Sequence, residues 1–127
     1  MDKKNSISAE VILKSKTGKS MIENENSLTS KNIHEFEPPI ENTKIVVEKL
    51  KELGFEVYQN QLTLTIIGDA ILFEKIFIIA LSIKRNKKNI ISVNPDKEPT
   101  IPQGLSGIVE KIVFPPAARL FNRYYAI

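Results

Sequence analysis

The sequence predicts an α+β domain in which two helices pack on one face of a four-stranded antiparallel sheet. Segments with alternating apolar and polar residues mark the strands, and two segments with apolar residues at helical spacing mark the helices. The chain has 127 residues, which is the usual length of one domain. A hydrophobic fraction of 42% and a charged fraction of 26% are ordinary for a globular protein.

The first strand is predicted just after a polar N-terminus, because its residues alternate between two faces with a period of two. One face carries Ile7, Ala9, Val11 and Leu13, and the other carries Ser8, Glu10, Ile12 and Lys14. Residues 15–41 then form a long polar excursion, which suggests either mobility or a functional loop. A short helix over residues 28–36 is expected within it, capped by Thr29 or Ser30, with Ile33 and Phe36 packing inward.

The first long helix is expected to begin near Asn42 and Thr43 and to end at Gly54. Val46, Leu50 and Leu53 recur at helical spacing, and glycine suits a left-handed position after a helix. Two strands follow over residues 55–59 and 62–67, joined by a polar turn at Asn60. In the second of them, apolar residues alternate with Thr63 and Thr65, which are therefore expected on the face away from the core.

The second long helix is predicted to open at Gly68-Asp69 and to continue to Ile83. Its wide apolar face carries Leu72, Phe73, Ile76, Phe77, Ala80 and Ile83. Residues 84–88 form a basic turn that ends this helix, and a last strand is expected over residues 90–93. We assign Phe73 and Phe77 to the core and not to a ligand site.

The resulting order, β-α-β-β-α-β, is the ferredoxin-like arrangement. One face of the sheet is expected to stay open to solvent. Leu105, Ile108, Val109 and Ile112 predict a short C-terminal helix, which the Pro115-Pro116 pair would stop. Residues 1–114 are thus predicted to form one domain, and residues 115–127 a C-terminal tail.

Composition excludes most enzyme chemistry and predicts no cofactor, metal or catalytic site. The absence of cysteine removes thiolate nucleophiles and cysteine-based metal sites, and a histidine-based site could use only His34, which is expected at the surface. Gly18-Lys19-Ser20 lacks the first glycine of a phosphate-binding loop, because Leu13 stands at that position. The Gly104–Gly107 region, Gly-Leu-Ser-Gly, lacks the spacing of a nucleophile elbow.

Charge and hydropathy bear on three questions: nucleic-acid binding, cellular compartment and membrane spanning. The net charge of +3 is a modest excess, and the outward positions of the central strands lack the aromatic residues that stack on RNA, so nucleic acid is not the favoured partner. No signal peptide is apparent, which predicts a cytoplasmic protein unless export uses a route not visible in the sequence. The most apolar stretch, residues 70–83, is too short and too charged to span a membrane.

From Leu28 to Phe114 the chain resembles the activation prodomain of the sedolisin, or kumamolisin-like, serine carboxyl peptidases. The stretches that carry the resemblance are Leu28-Thr29 with Glu35-Phe36, Val46-Val47 and Leu50 through Leu53-Gly54-Phe55-Glu56-Val57, Leu62-Thr63-Leu64 with Gly68, Phe73-Glu74 with Phe77, and Ile101-Pro102 with Leu105, Val109 and Ile112. The resemblance implies a ferredoxin-like module, without the catalytic domain, that inhibits a peptidase and assists its folding.

The leading hypothesis is therefore a non-catalytic module that binds another protein through its open sheet face and its tail. The expected contact residues are Glu10, Ile12, Tyr58, Thr63, Thr65 and Ser92 on the sheet, and Phe121, Tyr124 and Tyr125 in the tail. The alternative is a structural or assembly subunit that uses the same fold for self-association or complex formation.

Overall fold

The computed structural model describes residues 6–18, 33–60, 62–86 and 89–114. In chain order, these residues form β1 (Ser6–Leu13), a 3-10 turn (Ile33–Phe36), α1 (Ile40–Glu52), β2 (Glu56–Gln59), β3 (Thr63–Asp69), α2 (Ala70–Phe77), β4 (Leu81–Asn86), β5 (Asn89–Pro95) and β6 (Val109–Val113). The predicted α+β class, with two helices and a four-stranded antiparallel sheet, is confirmed.

The main sheet has the strand order β2-β3-β1-β6, and each neighbouring pair is antiparallel. A second sheet holds only β4 and β5, which pair as an antiparallel hairpin. The predicted last strand, residues 90–93, thus lies in this hairpin and not in the main sheet. The fourth strand of the main sheet is β6 instead.

The prediction of a C-terminal helix is wrong, because Val109 and Ile112 lie in β6. Their spacing of three residues is typical of a helix, but a bulge makes it compatible with a strand. Ile12 is opposite Lys111 whereas Leu13 is opposite Val109, so β6 contains one more residue than β1 at this point. The bulge keeps both Val109 and Ile112 in the core, where each is 4% exposed.

Helix α2 is shorter than predicted, because it ends at Phe77 and not near Ile83. Ile78 adopts a left-handed backbone conformation with φ 55° and ψ 58°, which turns the chain out of the helix. Residues 84–86 therefore belong to strand β4, and the basic residues Lys84 and Arg85 do not stand at a helix C-terminus. Phe73 and Phe77 are fully buried, as the sequence predicts.

Helix α1 begins at Ile40, two residues before the expected caps, and Pro39 precedes it with an extended backbone. Thr43 lies within the first turn, where its hydroxyl donates to the Pro39 carbonyl at 3.2 Å. At the other end, Gly54 has φ +111°, which confirms the predicted left-handed position. Within the expected short helix, the described residues form only the 3-10 turn, and Phe36 is buried.

One hydrophobic core joins the main sheet, both helices and the β4–β5 hairpin. Its buried members are Ile7, Ala9, Val11 and Leu13 of β1, Leu64 and Ile66 of β3, Val46 and Leu50 of α1, Phe73 and Phe77 of α2, Val93 of β5, Val109 and Ile112 of β6, and Phe55, Ile79, Leu105 and Phe114 between elements. Both helices thus pack against the same face of the main sheet, which carries the predicted apolar residues of β1.

The two ends of the polar excursion lie beside each other. The Lys16 amide donates to the Glu37 carbonyl at 3.0 Å, and the Thr17 hydroxyl donates to the Glu35 carbonyl. These bonds hold the chain after β1 against the 3-10 turn. Residues 19–32, including Thr29 and Ser30, lie outside the described residues.

Candidate functional site

The face of the main sheet opposite the helices, called here the second face, brings together five of the predicted contact residues. In the register of the strands, Glu10 is opposite Thr65, Ile12 is opposite Thr63, and Tyr58 is opposite Thr65. Residues directly opposite in adjacent strands point to the same face. The alternation in the sequence therefore predicted the shared face of these residues.

The second face differs from the expectation of an open surface. Glu10 is 1% exposed, Ile12 is 0% exposed and Thr63 is 1% exposed. Thr65 is half-buried, and Tyr58 on the strand β2 is 53% exposed. Of these five residues, only Tyr58 presents most of its side chain to a partner.

The other predicted contact residues are not brought to this face. Ser92 lies in β5, opposite Lys84 in the second sheet, and is half-buried. Phe121, Tyr124 and Tyr125 lie outside the described residues.

A hydrogen-bond network, called here the Glu10 network, occupies the centre of the second face and consists of Glu10, Asn60, Thr63 and Thr65. The Thr63 hydroxyl donates to Glu10 Oε1 at 2.8 Å, and the Thr65 hydroxyl donates to Glu10 Oε2 at 2.6 Å. Asn60 Nδ2 lies 3.2 Å from Glu10 Oε1 and 2.8 Å from Thr65 Oγ1. These contacts connect β1 with β3 and with the β2–β3 turn.

Burial raises the pKa of Glu10 above its ordinary value, because the charged form loses hydration. The hydrogen bonds from Thr65, Thr63 and Asn60 act in the opposite direction, since they stabilise the carboxylate, but burial is the larger effect. No described residue forms an ion pair with Glu10. A buried carboxyl with uncharged partners binds a proton more easily than an exposed one.

Asn60 is the member of this site that sequence reasoning missed, because it was assigned only to a polar turn. Its backbone amide donates to the Thr63 carbonyl at 2.9 Å, which leaves its side chain over the second face. The sequence does contain a signal for a buried carboxyl on this face. Glu10 is an acidic residue within a run of apolar residues, and the threonines opposite it are the hydroxyl donors that a buried carboxylate needs.

A small cavity of about 90 Å³ adjoins the Glu10 network near the start of α1. Asn60 and Thr63 line it from the sheet, and Glu37, Pro38 and Thr43 line it from the segment around the helix start. Pockets for organic ligands usually measure roughly 300–1,000 Å³. This cavity lies well below that range and does not favour a metabolite.

His34 is a surface residue, as expected, and its Nδ1 lies 2.7 Å from Glu37 Oε1. The His34 side chain is 72% exposed. Within the described ranges, no group of three or more histidine, aspartate and glutamate side chains is arranged to hold a metal ion. The pair therefore resembles an ordinary surface contact.

Strand β2 forms one edge of the main sheet, because β3 is its only partner among the described strands. Glu56, Tyr58 and Gln59 are exposed along it. An edge strand presents backbone groups that can pair with an extended segment of another protein. Four further large apolar side chains are exposed on or beside the helices, namely Ile40, Ile45, Ile71 and Ile78.

In the described part of the chain, no helix has the length and hydropathy needed to cross a membrane. Comparison of the chain with protein-family models, with curated proteins and with solved structures finds no match. The geometry of the site therefore carries the functional argument alone.

Proposed function

We propose that the chain is a non-catalytic protein-binding module that resembles a peptidase prodomain and acts as a protease inhibitor or a folding chaperone. In this proposal, the main sheet and two helices form a ferredoxin-like unit. Strand β6 takes the place of the fourth strand, and the β4–β5 hairpin is an insertion before it. The strand order and the antiparallel pairing of the main sheet support this interpretation.

The observation that carries the proposed function is the exposed edge formed by β2. Glu10, Ile12 and Thr63 are buried, so they support a docking surface from within and do not form it. Tyr58 is 53% exposed on the edge strand, and tyrosine is frequent among residues that dominate binding energy. We therefore place the contact at β2, where an extended segment of the partner adds a strand and packs on Tyr58.

Inhibition of a serine carboxyl peptidase by the purified chain tests this function. The Tyr58→Ala variant is expected to raise the inhibition constant about tenfold, which corresponds to about 1.4 kcal/mol of lost binding energy. Tyr58→Phe should bind nearly as well, because it keeps the ring. Ile71→Ala is the matched control, since it removes an exposed apolar side chain from α2. Equal inhibition by Tyr58→Ala and Ile71→Ala would contradict docking at β2.

The C-terminal tail is proposed as the second contact, through its aromatic residues Phe121, Tyr124 and Tyr125. Deletion of residues 117–127 is expected to weaken inhibition strongly. Unchanged inhibition by the shortened chain would remove the tail from the proposal and leave the edge strand as the contact.

The alternative function is a structural or assembly subunit, and the exposed isoleucines favour it. Ile40 of α1 and Ile71 of α2 are 75% and 77% exposed, and association of subunits through the helices would remove these side chains from water. Size-exclusion chromatography with light scattering separates the two functions. A monomer that inhibits a peptidase supports the first, and a defined oligomer that inhibits none supports the second.

Nucleic-acid binding remains the less favoured possibility. It would use the basic residues of positions 84–88, of which Lys84 and Arg85 are exposed on β4. The affinity of such binding falls steeply as the salt concentration rises. Lack of binding to nucleic acid at low salt would eliminate it.

A further inference from the structure

Among the charged residues around the Glu10 network, Glu37 lines the cavity beside Asn60 and Thr63, and Lys14 directly follows the end of β1. On β6, Val113 is directly opposite Glu10, and Lys111 is one position further along the same face, opposite Ile12. On β2, the ionisable residues of the second face are Glu56 and Tyr58, one strand beyond β3. Strand β3 itself places only threonines against the carboxyl. Uncharged donors therefore hold the Glu10 carboxyl.

Protonation changes what this carboxyl can do. The amide nitrogen of Asn60 can only donate, whereas a threonine hydroxyl can both donate and accept. A proton from solvent is therefore best placed on Oε2, which contacts the Thr65 hydroxyl, and that hydroxyl then accepts in place of donating. Oε1 becomes a neutral acceptor for Asn60 and Thr63. Hydrogen bonds to an ionised group are roughly twice as strong as those to a neutral one.

We propose that the Glu10 network is a proton-dependent connection between β1 and the β2–β3 turn. With Glu10 ionised, Asn60 donates to a carboxylate and the turn is held firmly against β1. With Glu10 protonated, the same contact is an ordinary neutral hydrogen bond and the turn becomes more mobile. This inference concerns the chain alone and does not depend on the proposed function.

Protonation of Glu10 has opposite effects on the turn and on global stability. Burial raises the pKa of Glu10, so the native state binds the proton more readily than the unfolded chain does. The contribution of Glu10 to the free energy of unfolding therefore increases as the pH falls through the native pKa, and it is smallest above that pKa. Proton uptake is thus expected to stabilise the fold while it loosens one turn.

Nuclear magnetic resonance of the full chain tests the proposal. The side-chain carboxyl carbon of Glu10 and the side-chain amide of Asn60 are followed between pH 3 and pH 8, and should titrate together with a midpoint above the ordinary glutamate pKa of about 4.3. Exchange protection of the Asn60 backbone amide should fall severalfold at the acidic end. In Glu10→Gln, the Asn60 signals should match the acidic state at every pH.

Glu56→Gln is the matched control, because Glu56 is an exposed carboxyl on the second face, one strand away from the network. It should leave the Asn60 titration unchanged. Thr65→Val gives an independent route if Glu10→Gln does not fold, since it removes one donor and should raise the midpoint further. A titration midpoint of Glu10 at or below the ordinary glutamate pKa would overturn the proposal. Asn60 signals that do not change as Glu10 titrates would also overturn it.

Discussion

At the scale of single residues, Gly68 shows how closely α2 packs on the main sheet. A Cβ atom added at this position would lie 2.9 Å from Phe55 Cδ1 and 3.1 Å from Leu72 Cδ2. Phe55 is buried in the core, and it contacts Phe73 and Phe77 with ring centroids 4.8 Å and 5.7 Å apart. The Phe55 ring therefore cannot move away without disturbing the aromatic cluster.

Gly68→Ala is accordingly expected to lower the free energy of unfolding by about 1–3 kcal/mol, as overpacking of a core does. Gly107→Ala is the control, because no atom lies within 4 Å of its added Cβ. The control should be neutral or stabilising by up to about 1 kcal/mol. Urea denaturation of both variants measures the difference, and equal stability of Gly68→Ala and the parent chain would contradict the close packing.

Residue patterns predicted which face each side chain occupies but not how deeply it is buried. The period of two in β1 and β3 placed Glu10, Thr63 and Thr65 together, as the register confirms. The period of two does not give the depth of burial, and the 1% exposure of Glu10 also depends on the Asn60 side chain beside it. Alternation is a local property, whereas solvent access is set by distant parts of the chain.

At the scale of elements, both wrong helix predictions come from apolar residues at helical spacing. Apolar residues spaced three or four apart predict a helix, but they also occur where a strand contains a bulge. That is the case in β6, where an inserted residue brings Val109 and Ile112 to the same core. The apolar residues of positions 70–83 belong to two elements, α2 and the start of β4. The strained conformation of Ile78 ends the helix between them.

Ile78 offers a test of that boundary. Its φ of 55° is unusual for a β-branched residue, for which the left-handed conformation costs roughly 1–2 kcal/mol. Its side chain is 56% exposed, so burial recovers little of this cost. Ile78→Gly is therefore expected to stabilise the fold by about 0.5–1 kcal/mol, after the greater unfolded-state freedom of glycine is subtracted.

Ile71→Gly is the matched control for this prediction. Ile71 is 77% exposed but lies within α2, where glycine is less favourable than isoleucine by about 0.5 kcal/mol. The midpoint temperature of thermal unfolding should therefore rise for Ile78→Gly and fall for Ile71→Gly. A downward shift for both variants would show that the end of α2 carries no strain.

At the scale of the whole molecule, the sequence patterns did not predict that β4 and β5 form a separate two-stranded sheet. Its base is fixed to α2 by the hydrogen bond from Leu81 N to Glu74 Oε2 at 2.8 Å, and the segment after β5 is fixed to the end of α2 by the bond from Thr100 N to Phe77 O at 2.8 Å. Val93 of β5 is 2% exposed within the shared core. A two-stranded sheet is barely stable alone in water, so these contacts carry its stability.

This arrangement predicts that the two sheets unfold as one unit. Val93→Ala removes two buried methyl groups and is expected to cost about 1–3 kcal/mol. Because Val93 shares its core with β1, β3 and α2, exchange protection should fall together in the hairpin and in the main sheet, by about tenfold for each 1.4 kcal/mol lost. Ser92→Ala is the control, since it alters the neighbouring residue of β5, which is not part of that core, and should leave main-sheet protection within about twofold. Loss of protection in β4 and β5 alone, with the main sheet unchanged after Val93→Ala, would mean that the hairpin opens independently and that the main sheet does not need it.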